Sequence, residues 1–489
     1  MRRASLAAAV ALAVLAGVVL LRAARFESKQ LAVEPTRPVE VDASGVAQRL
    51  AEGLRIPTVS YYDRSRMDER VFLRFHRYLR DTYPVLHGVL ERERVAGASL
   101  LYTWRGRRSD LRPVLVLAHQ DVVPVEAGTE ADWTQRPFGG RIDGRFVWGR
   151  GAMDDKGSLF CILEAVEALV TAGFEPERTV MLALGDDEEV GGDSGALAIA
   201  NLLRSRGVEL ESVLDEGGAI AVEVLPNVDA PIALIGIAEK GSATVELRVE
   251  AVGGHSSTPP RHTAVGLVSR GVSALESHPM RGSLGGATEL LFQYVGPELA
   301  FPYRVVLANL WLFRGVLERA LARQPTTDAM LRTTTAATII EGGVKENLLP
   351  VRSRAAVNFR ILPGDSVDDV VRHVRATVAD ERVRVELSRR PVPRNPSATS
   401  PVDSDSFRAL QRTVSEVFPE AIVAPFLVLG GTDARHYEEL TRNLYRFAPF
   451  VYTSDDRKRI HGSDERIAID KLPGAVRFYM RLIRNTAGG

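Results

Sequence analysis

With 489 residues the chain is too long for one ordinary core, and 45% hydrophobic with 25% charged residues describes a folded protein of about two domains, not a disordered one. Lys and Arg balance Asp and Glu at 62 each, and the arginines are scattered along the chain, which excludes the basic field that a nucleic-acid partner requires. The single cysteine, Cys161, sits in the apolar run SLFCILEAVEAL and excludes an intrachain disulfide, so any metal must be held by histidine and carboxylate.

The first element in chain order is apolar. MRRASLAAAVALAVLAGVVLLRAAR places arginines at 2 and 3 ahead of an uncharged run from Ala4 to Leu21, the pattern of an export or anchoring signal over residues 1–25. No clean small-x-small cleavage site precedes Phe26, since Arg22 or Leu21 holds the outer position. An uncleaved anchor with Arg2 and Arg3 cytoplasmic is therefore favoured over a cleaved signal peptide. Either way the body is expected outside the cytoplasm: anchored in the inner membrane and facing outward, or secreted or periplasmic.

After a polar linker, a first stretch over residues 45–240 alternates buried strands with helices. PVLVLAHQDVV, TVMLALGDDEE, ESVLDEGG and PIALIGIAEKG read as strands that end in polar residues. GSLFCILEAVEALVTAG and DSGALAIANLLRSRG read as helices, the second with Asp193 or Ser194 as N-cap and Gly207 as its stop. This alternation predicts an α/β fold with a mainly parallel sheet, whose sites form at the carboxyl ends of the strands. Over residues 241–390 the order becomes β-α-β-β-α-β, a ferredoxin-like α+β module interrupted between its first helix and second strand. The connector RRPVPRNPSATSP starts at Arg389, and residues 391–489 return beyond it to the first style, so the small module reads as inserted into the larger domain.

The polar clusters fall at strand ends. His119 and Asp121 alternate along extended backbone, so both side chains point one way, and Asp121 suits the part of orienting the imidazole. WGRGAMDDKG flanks Asp154 and Asp155 with glycines that permit an unusual backbone. Glu188 and Glu189 are adjacent and diverge in direction, so that one can bind a metal while the other faces a water. LDEGG offers Asp215 and Glu216, and RIHGSDE offers His461. Each cluster alone reads equally well as a solvated loop, but together they supply the donors of a dinuclear zinc site with ions about 3.5–4 Å apart, one carboxylate being shared. The same donor set accommodates Co2+ or Mn2+.

HQDVVPV, WTQRPFGGRIDGRFVWGRGAMDDKG, DEEVGG, LDEGG, GGHSSTPP and RIHGSDERI together resemble the zinc exopeptidases that include aminoacylase, carboxypeptidase S and succinyl-diaminopimelate desuccinylase, nearest to carboxypeptidase S and the secreted N-fatty-acyl-amino acid synthase/hydrolase. The likeness runs in order from about residue 45 to the end. It implies two zinc ions held by His119, Asp154, Glu189, Glu216 and His461, with Asp154 bridging and Asp215 as the alternative to Glu216. It further implies a cis peptide between Asp154 and Asp155, Asp121 orienting His119, and Glu188 as the general base. The inserted module resembles the family's lid and dimerisation domain, which makes a homodimer through it an expectation. His255 matches a histidine that stabilises the tetrahedral oxyanion; Asn347 and Arg360 match residues that bind the substrate carbonyl and terminal carboxylate; and Gly430, Gly431 and Thr432 match a loop closing on that carboxylate.

The activity implied is hydrolysis of the amide bond of N-acyl amino acids or short peptides with a free C-terminal carboxylate, the substrate being the only partner besides membrane and second subunit. The competing reading, a catalytically inactive binding protein on a peptidase fold, is disfavoured because such proteins usually lose ligands or the base, and every expected position is filled. One stretch departs from a simple aminoacylase. Residues 291–321 are rich in Phe, Tyr, Trp and Leu and read either as a hydrophobic entrance for acyl chains or as a helical addition packed on the lid or near the membrane.

Overall fold

The computed structural model describes residues 2–222 and 230–488. The chain divides into two compact units, a larger one of residues 28–237, 400–426 and 432–489 and a smaller one of residues 1–27, 238–399 and 427–431.

The larger unit is built on a ten-stranded sheet. Its centre runs Val180–Gly185, Val114–His119, Ser212–Asp215, Leu444–Arg446, and these neighbours are mutually parallel. Antiparallel pairing belongs to the flanks, where Glu91–Val95 and Ser99–Trp104 lie on one side and Ile232–Glu239 on the other. Every residue of Val114–His119 and of Val180–Gly185 is buried, as a parallel strand covered on both faces requires. Leu115 and Leu117 meet Ile199 and Leu203 of helix Ala196–Ser205, while helix Lys156–Thr171 lies against the same strand and packs on the C-terminal helix Leu472–Ala487. His119, Gly185 and Asp215 are the last residues of their strands, so three clusters open at one end of the sheet.

One sequence expectation fails in this unit. Neither Asp193 nor Ser194 caps helix Ala196–Ser205; the position before it is Gly195, with no capping side chain of its own. The carboxylate of Asp187 takes that part from the preceding turn, accepting from the amides of Ser194 at 2.9 Å and Gly195 at 2.8 Å. Only glycine tolerates this approach, because a Cβ on Gly195 would stand 2.5 Å from Asp187 Oδ1. Gly207 follows the helix end with φ +68, in keeping with its predicted role as a stop.

The smaller unit carries a four-stranded antiparallel sheet in the order Thr334–Glu341, Arg352–Ile361, Gly241–Glu250, Arg384–Leu387. Helices Ala264–Ser277 and Val367–Val378 pack on it around Val245, Leu247, Val268, Phe359 and Val374. The odd-numbered residues of Gly241–Glu250 are all buried and the even ones more open, the alternation of a sheet with a single packed face. Between the first helix and second strand stand the helices Gly286–Val295, Phe301–Ala308, Leu310–Leu321 and Pro325–Asp328. The N-terminal helix Arg2–Ala24 belongs to this unit and packs against Phe301–Ala308. By length and composition it is able to cross a membrane.

Candidate metal centre and active site

The larger unit gathers three of the expected side chains around a fourth, Asp154. Its Oδ1 lies 2.9 Å from His119 Nε2 and its Oδ2 lies 3.1 Å from His461 Nε2. His461 Nε2 also stands 2.9 Å from Glu189 Oε2. Each residue reaches the point from a different element: His119 from a strand end, Asp154 from the glycine-flanked turn before helix Lys156–Thr171, Glu189 from a short turn of 3-10 helix, and His461 from a loop residue with φ +61. The peptide bond between Asp154 and Asp155 is cis.

Asp121 meets the His119 imidazole most closely through its main chain. His119 Nδ1 is 2.9 Å from the main-chain oxygen of Asp121 and 3.4 Å from its carboxylate. That carboxylate accepts instead from Ser60 Oγ at 2.6 Å and from the amides of Glu188 and Glu189, each at 3.1 Å. It thereby ties the His119 strand end to the acidic turn. The other two acids of that turn are likewise held. Asp186 accepts from Ser99 Oγ at 2.6 Å, and Arg64 reaches Asp186 at 3.1 Å and Asp187 at 3.0 Å.

Glu188 has no such hydrogen-bonded cation among the described residues, and Glu189 has the His461 imidazole on one oxygen only. Burial first, and then repulsion from Asp154, pushes Glu189 up to about 7, and its Oε1 is buried with no hydrogen-bond partner among the described residues. Burial raises Glu188 well above the usual carboxylate range, with repulsion from Asp433 and Glu189 adding to it against the attraction of His119. Glu216 is raised for the same reason, by burial and then by Asp154, Glu188 and Asp215. Asp154 goes the other way: burial opposes it, but the two imidazoles hold it well below the ordinary range. Its partner His461, flanked by Asp154 and Glu189, is pushed up to about 10. The four carboxylates Asp154, Glu188, Glu189 and Glu216 outnumber the two imidazoles of the cluster, the buried His119 and the exposed His461. Ligand atoms of His119, Asp154 and Glu189 lie within 4.8 Å of one another, and the imidazole and carboxylate donors suit a divalent ion of the zinc type. The residues fit a metal centre.

Asp215 and Glu216 differ in what they touch. Asp215 accepts from the amides of Glu216 at 2.9 Å and Ala434 at 2.6 Å, so both its oxygens serve the backbone. Thr432, buried in the same unit, bonds to it as well.

The remaining expected residues belong to the smaller unit. His255 lies on the short strand Gly254–His255 paired with Leu348–Leu349, exposed, its Nδ1 accepting from the Ser257 amide at 3.1 Å. Asn347 is beside it, and its carbonyl accepts from the amide of Ser256 at 3.2 Å. Arg360 is exposed on strand Arg352–Ile361 between two buried neighbours, Phe359 and Ile361. Gly430 is exposed and Gly431 half-buried.

Sequence reasoning missed several supports. Glu465 accepts from the amides of Gly151, Met153 and Asp154 at 2.9, 2.8 and 3.2 Å and from Arg150 at 2.7 Å, fixing the turn that presents Asp154. Its signal was available, since it ends the RIHGSDE motif. Asp433 presses on the acidic turn so closely that a Cβ on Gly192 would meet it at 2.0 Å and one on Gly185 at 2.6 Å. Ser60 and Arg64 lie in a stretch of no recognisable pattern.

A family description, peptidase family M20/M25/M40, matches residues 115–485. The chain is 42% identical over 479 residues to the "Probable carboxypeptidase S-like 2" of Dictyostelium discoideum, covering 96% of this chain and 91% of that one. It is 37% identical over 457 residues to the N-fatty-acyl-amino acid synthase/hydrolase PM20D1 of Mus musculus, covering 92% and 90%. Among solved structures, the M20 family metallo-carboxypeptidase Sso-CP2 from Sulfolobus solfataricus superposes with a TM-score of 0.66 at 20% identity, covering 90% of this chain and 98% of that one.

Proposed function

The chain belongs to the peptidase family M20/M25/M40, and on that footing we propose that it is a dinuclear metal hydrolase cleaving the amide bond of N-acyl amino acids or short peptides that carry a free C-terminal carboxylate. The observation that carries this reading is the pairing at Asp154, whose two oxygens face two different histidines, so that this carboxylate would be the residue shared by a pair of cations. His119 and Glu216 would complete one position, Glu189 and His461 the other. Glu216 is preferred to Asp215 because both oxygens of Asp215 already serve backbone amides. Zinc, or cobalt or manganese in its place, supplies polarisation of the amide carbonyl and acidification of the attacking water.

The chain's own groups do the rest. Glu188, half-buried and raised in pKa, takes a proton from the water and returns it to the leaving amine nitrogen. Asp121 holds the Glu188 and Glu189 amides, so base and ligand keep their divergent directions. His255 donates to the oxyanion that develops on the carbonyl. Asn347 binds that carbonyl; Arg360 engages the α-carboxylate through its two-pronged guanidinium, with the backbone of Gly430, Gly431 and Thr432 closing on the same group. The substrate class is carried from the names of two relatives, one a carboxypeptidase S-like protein and the other an N-fatty-acyl-amino acid synthase/hydrolase. The apolar N-terminal helix acts as an uncleaved anchor, placing the catalytic body outside the cytoplasm, and the smaller unit is the surface for a homodimer.

The test is hydrolysis by the purified, zinc-loaded protein of a panel of long- and short-chain N-acyl amino acids and dipeptides, read by mass spectrometry beside matched substrates whose terminal carboxylate is amidated. Cleavage of the free acids only is expected. Equal cleavage of the amidated set would overturn the carboxylate requirement, and no cleavage of any would overturn the reaction.

A further inference from the structure

The helices inserted between Ala264–Ser277 and Thr334–Glu341 take no part in the proposed chemistry, yet they present a contiguous set of large apolar side chains to solvent. Phe301 is 50% exposed, Tyr303 39%, Trp311 56%, Leu312 42% and Val316 59%. These helices also grip the end of the N-terminal helix. Val19 and Ala23 are buried, Asn309 Nδ2 donates to the carbonyls of Val19 at 3.0 Å and Val305 at 2.9 Å, and Arg22 Nε donates to the Ala308 carbonyl at 3.3 Å.

The grip sets a length. The apolar run begins after Arg3, and its exposed part ends at Val18, with Val19 buried. The residues from Ala4 to Val18 number 15, which at about 1.5 Å each is about 22 Å of helix. A bilayer's hydrocarbon core is about 30 Å thick. If Arg3 stays on the far side, a helix that crosses draws its gripped end into the near leaflet by about 8 Å. The helices holding that end must then enter the leaflet too, and the side chains they would bring are the exposed Phe301, Trp311, Leu312 and Val316. Tyr303 and Trp311 have the amphipathic rings favoured at headgroup depth, and Arg22 and Arg25 can extend their stems through the apolar layer toward the phosphates.

We propose that Phe301–Ala308 and Leu310–Leu321 are a lipid-embedded platform, seated in the outer leaflet of the same bilayer that the N-terminal helix crosses. The partner is the phospholipid acyl region, and the smaller unit is held at a fixed depth against it instead of hanging on a flexible tether. This rests on the reading of residues 1–25 as a retained anchor.

The experiment uses the full chain in nanodiscs of phosphatidylcholine and phosphatidylglycerol, carrying Val316→Cys labelled with an environment-sensitive fluorophore; Cys161 is buried and does not compete for the label. Doxyl-labelled lipid should remove most of the fluorescence, while aqueous iodide should remove little. A label quenched by iodide and untouched by doxyl lipid, in protein that stays with the membrane after alkaline carbonate washing, overturns the platform and leaves the anchor standing. Release of the intact full chain by the same carbonate wash overturns the anchor and the platform together. A second variant, Leu312→Glu with Val316→Glu, alters only exposed positions. It should keep hydrolysis of a soluble short-chain substrate while shifting Trp311 emission to the red, and unchanged emission also counts against the platform.

Discussion

Two buried glutamates of the larger unit show what separates structural acid from candidate catalytic acid. Glu416 and Glu189 are both withdrawn from water, and burial pushes both toward the neutral form. Glu416 accepts from Arg412, Arg481 and Asn485, each at 2.9 Å, and these partners hold it down at about 2. Glu189 receives one imidazole, keeps an oxygen with no partner among the described residues and rises to about 7. The same environment thus yields opposite shifts, and the partner set decides the sign. Glu416 is neutralised by its own arginines, whereas Glu189 keeps an open oxygen, which is the position a proposed cation would need.

The contrast is sharpest at Glu188, which has no ion-pair partner among the described residues and is not placed among the ligands. Glu188→Gln preserves shape and removes only the proton acceptor, so hydrolysis should fall by about 10²–10⁴-fold, the usual worth of general base catalysis. Metal content measured by plasma mass spectrometry should be unchanged. Full activity in this variant would remove Glu188 from the proton path, and loss of metal would make it a ligand.

Next in size come the groups around Asp154. Asp154→Asn or His461→Ala should reduce bound metal per chain, with activity lost in proportion, while the fold persists because strand and helix supports lie outside the cluster. Unchanged stoichiometry in both variants would dissolve the distinction drawn between Glu189 and Glu416. Asp215 and Glu216 split the same way. Glu216→Gln should lower metal content with little change in apo-protein stability. Asp215→Asn should cost about 1–3 kcal/mol in urea unfolding of the apo protein, because two buried amides lose an anionic acceptor. The reverse pattern would exchange their roles.

How far the sequence carries this contrast depends on its range. The α/β class was legible because apolar β-branched runs and helical periods alternate along the chain, and each pattern is local. His119, Asp154, Glu189 and His461 could be singled out because each sits in a polar cluster next to a strand end or glycine turn, and they do stand together in the fold. What satisfies their neighbours was not legible. Ser60 reaches Asp121 across 61 residues and Arg64 reaches Asp187 across 123, from a stretch with no periodicity. Nor was the capping of helix Ala196–Ser205, where nearest-residue reasoning chose Asp193 or Ser194, while the turn folds back to deliver Asp187. Whether an acid is neutralised is a tertiary property, and Glu416 and Glu189 look alike until the fold is known.

The smallest effect tests the structural side of the comparison. Glu416→Gln keeps the volume and one set of hydrogen bonds but removes the charge that Arg412 and Arg481 share, at a cost of about 2 kcal/mol near neutral pH. Its dependence on acidity follows from the direction of the shift. The folded value, about 2, lies below the ordinary 4.5, so the stability contributed by the ionised carboxylate is fully present above about pH 4.5 and is lost as pH falls toward 2. Denaturant unfolding of the wild type and the variant should therefore differ by a constant amount from pH 5.5 upward and converge between pH 4.5 and 2. A gap that stays constant down to pH 2.5 would mean that Glu416 is not held ionised by its arginines, and the sign rule separating it from Glu189 would then fail on its simpler member.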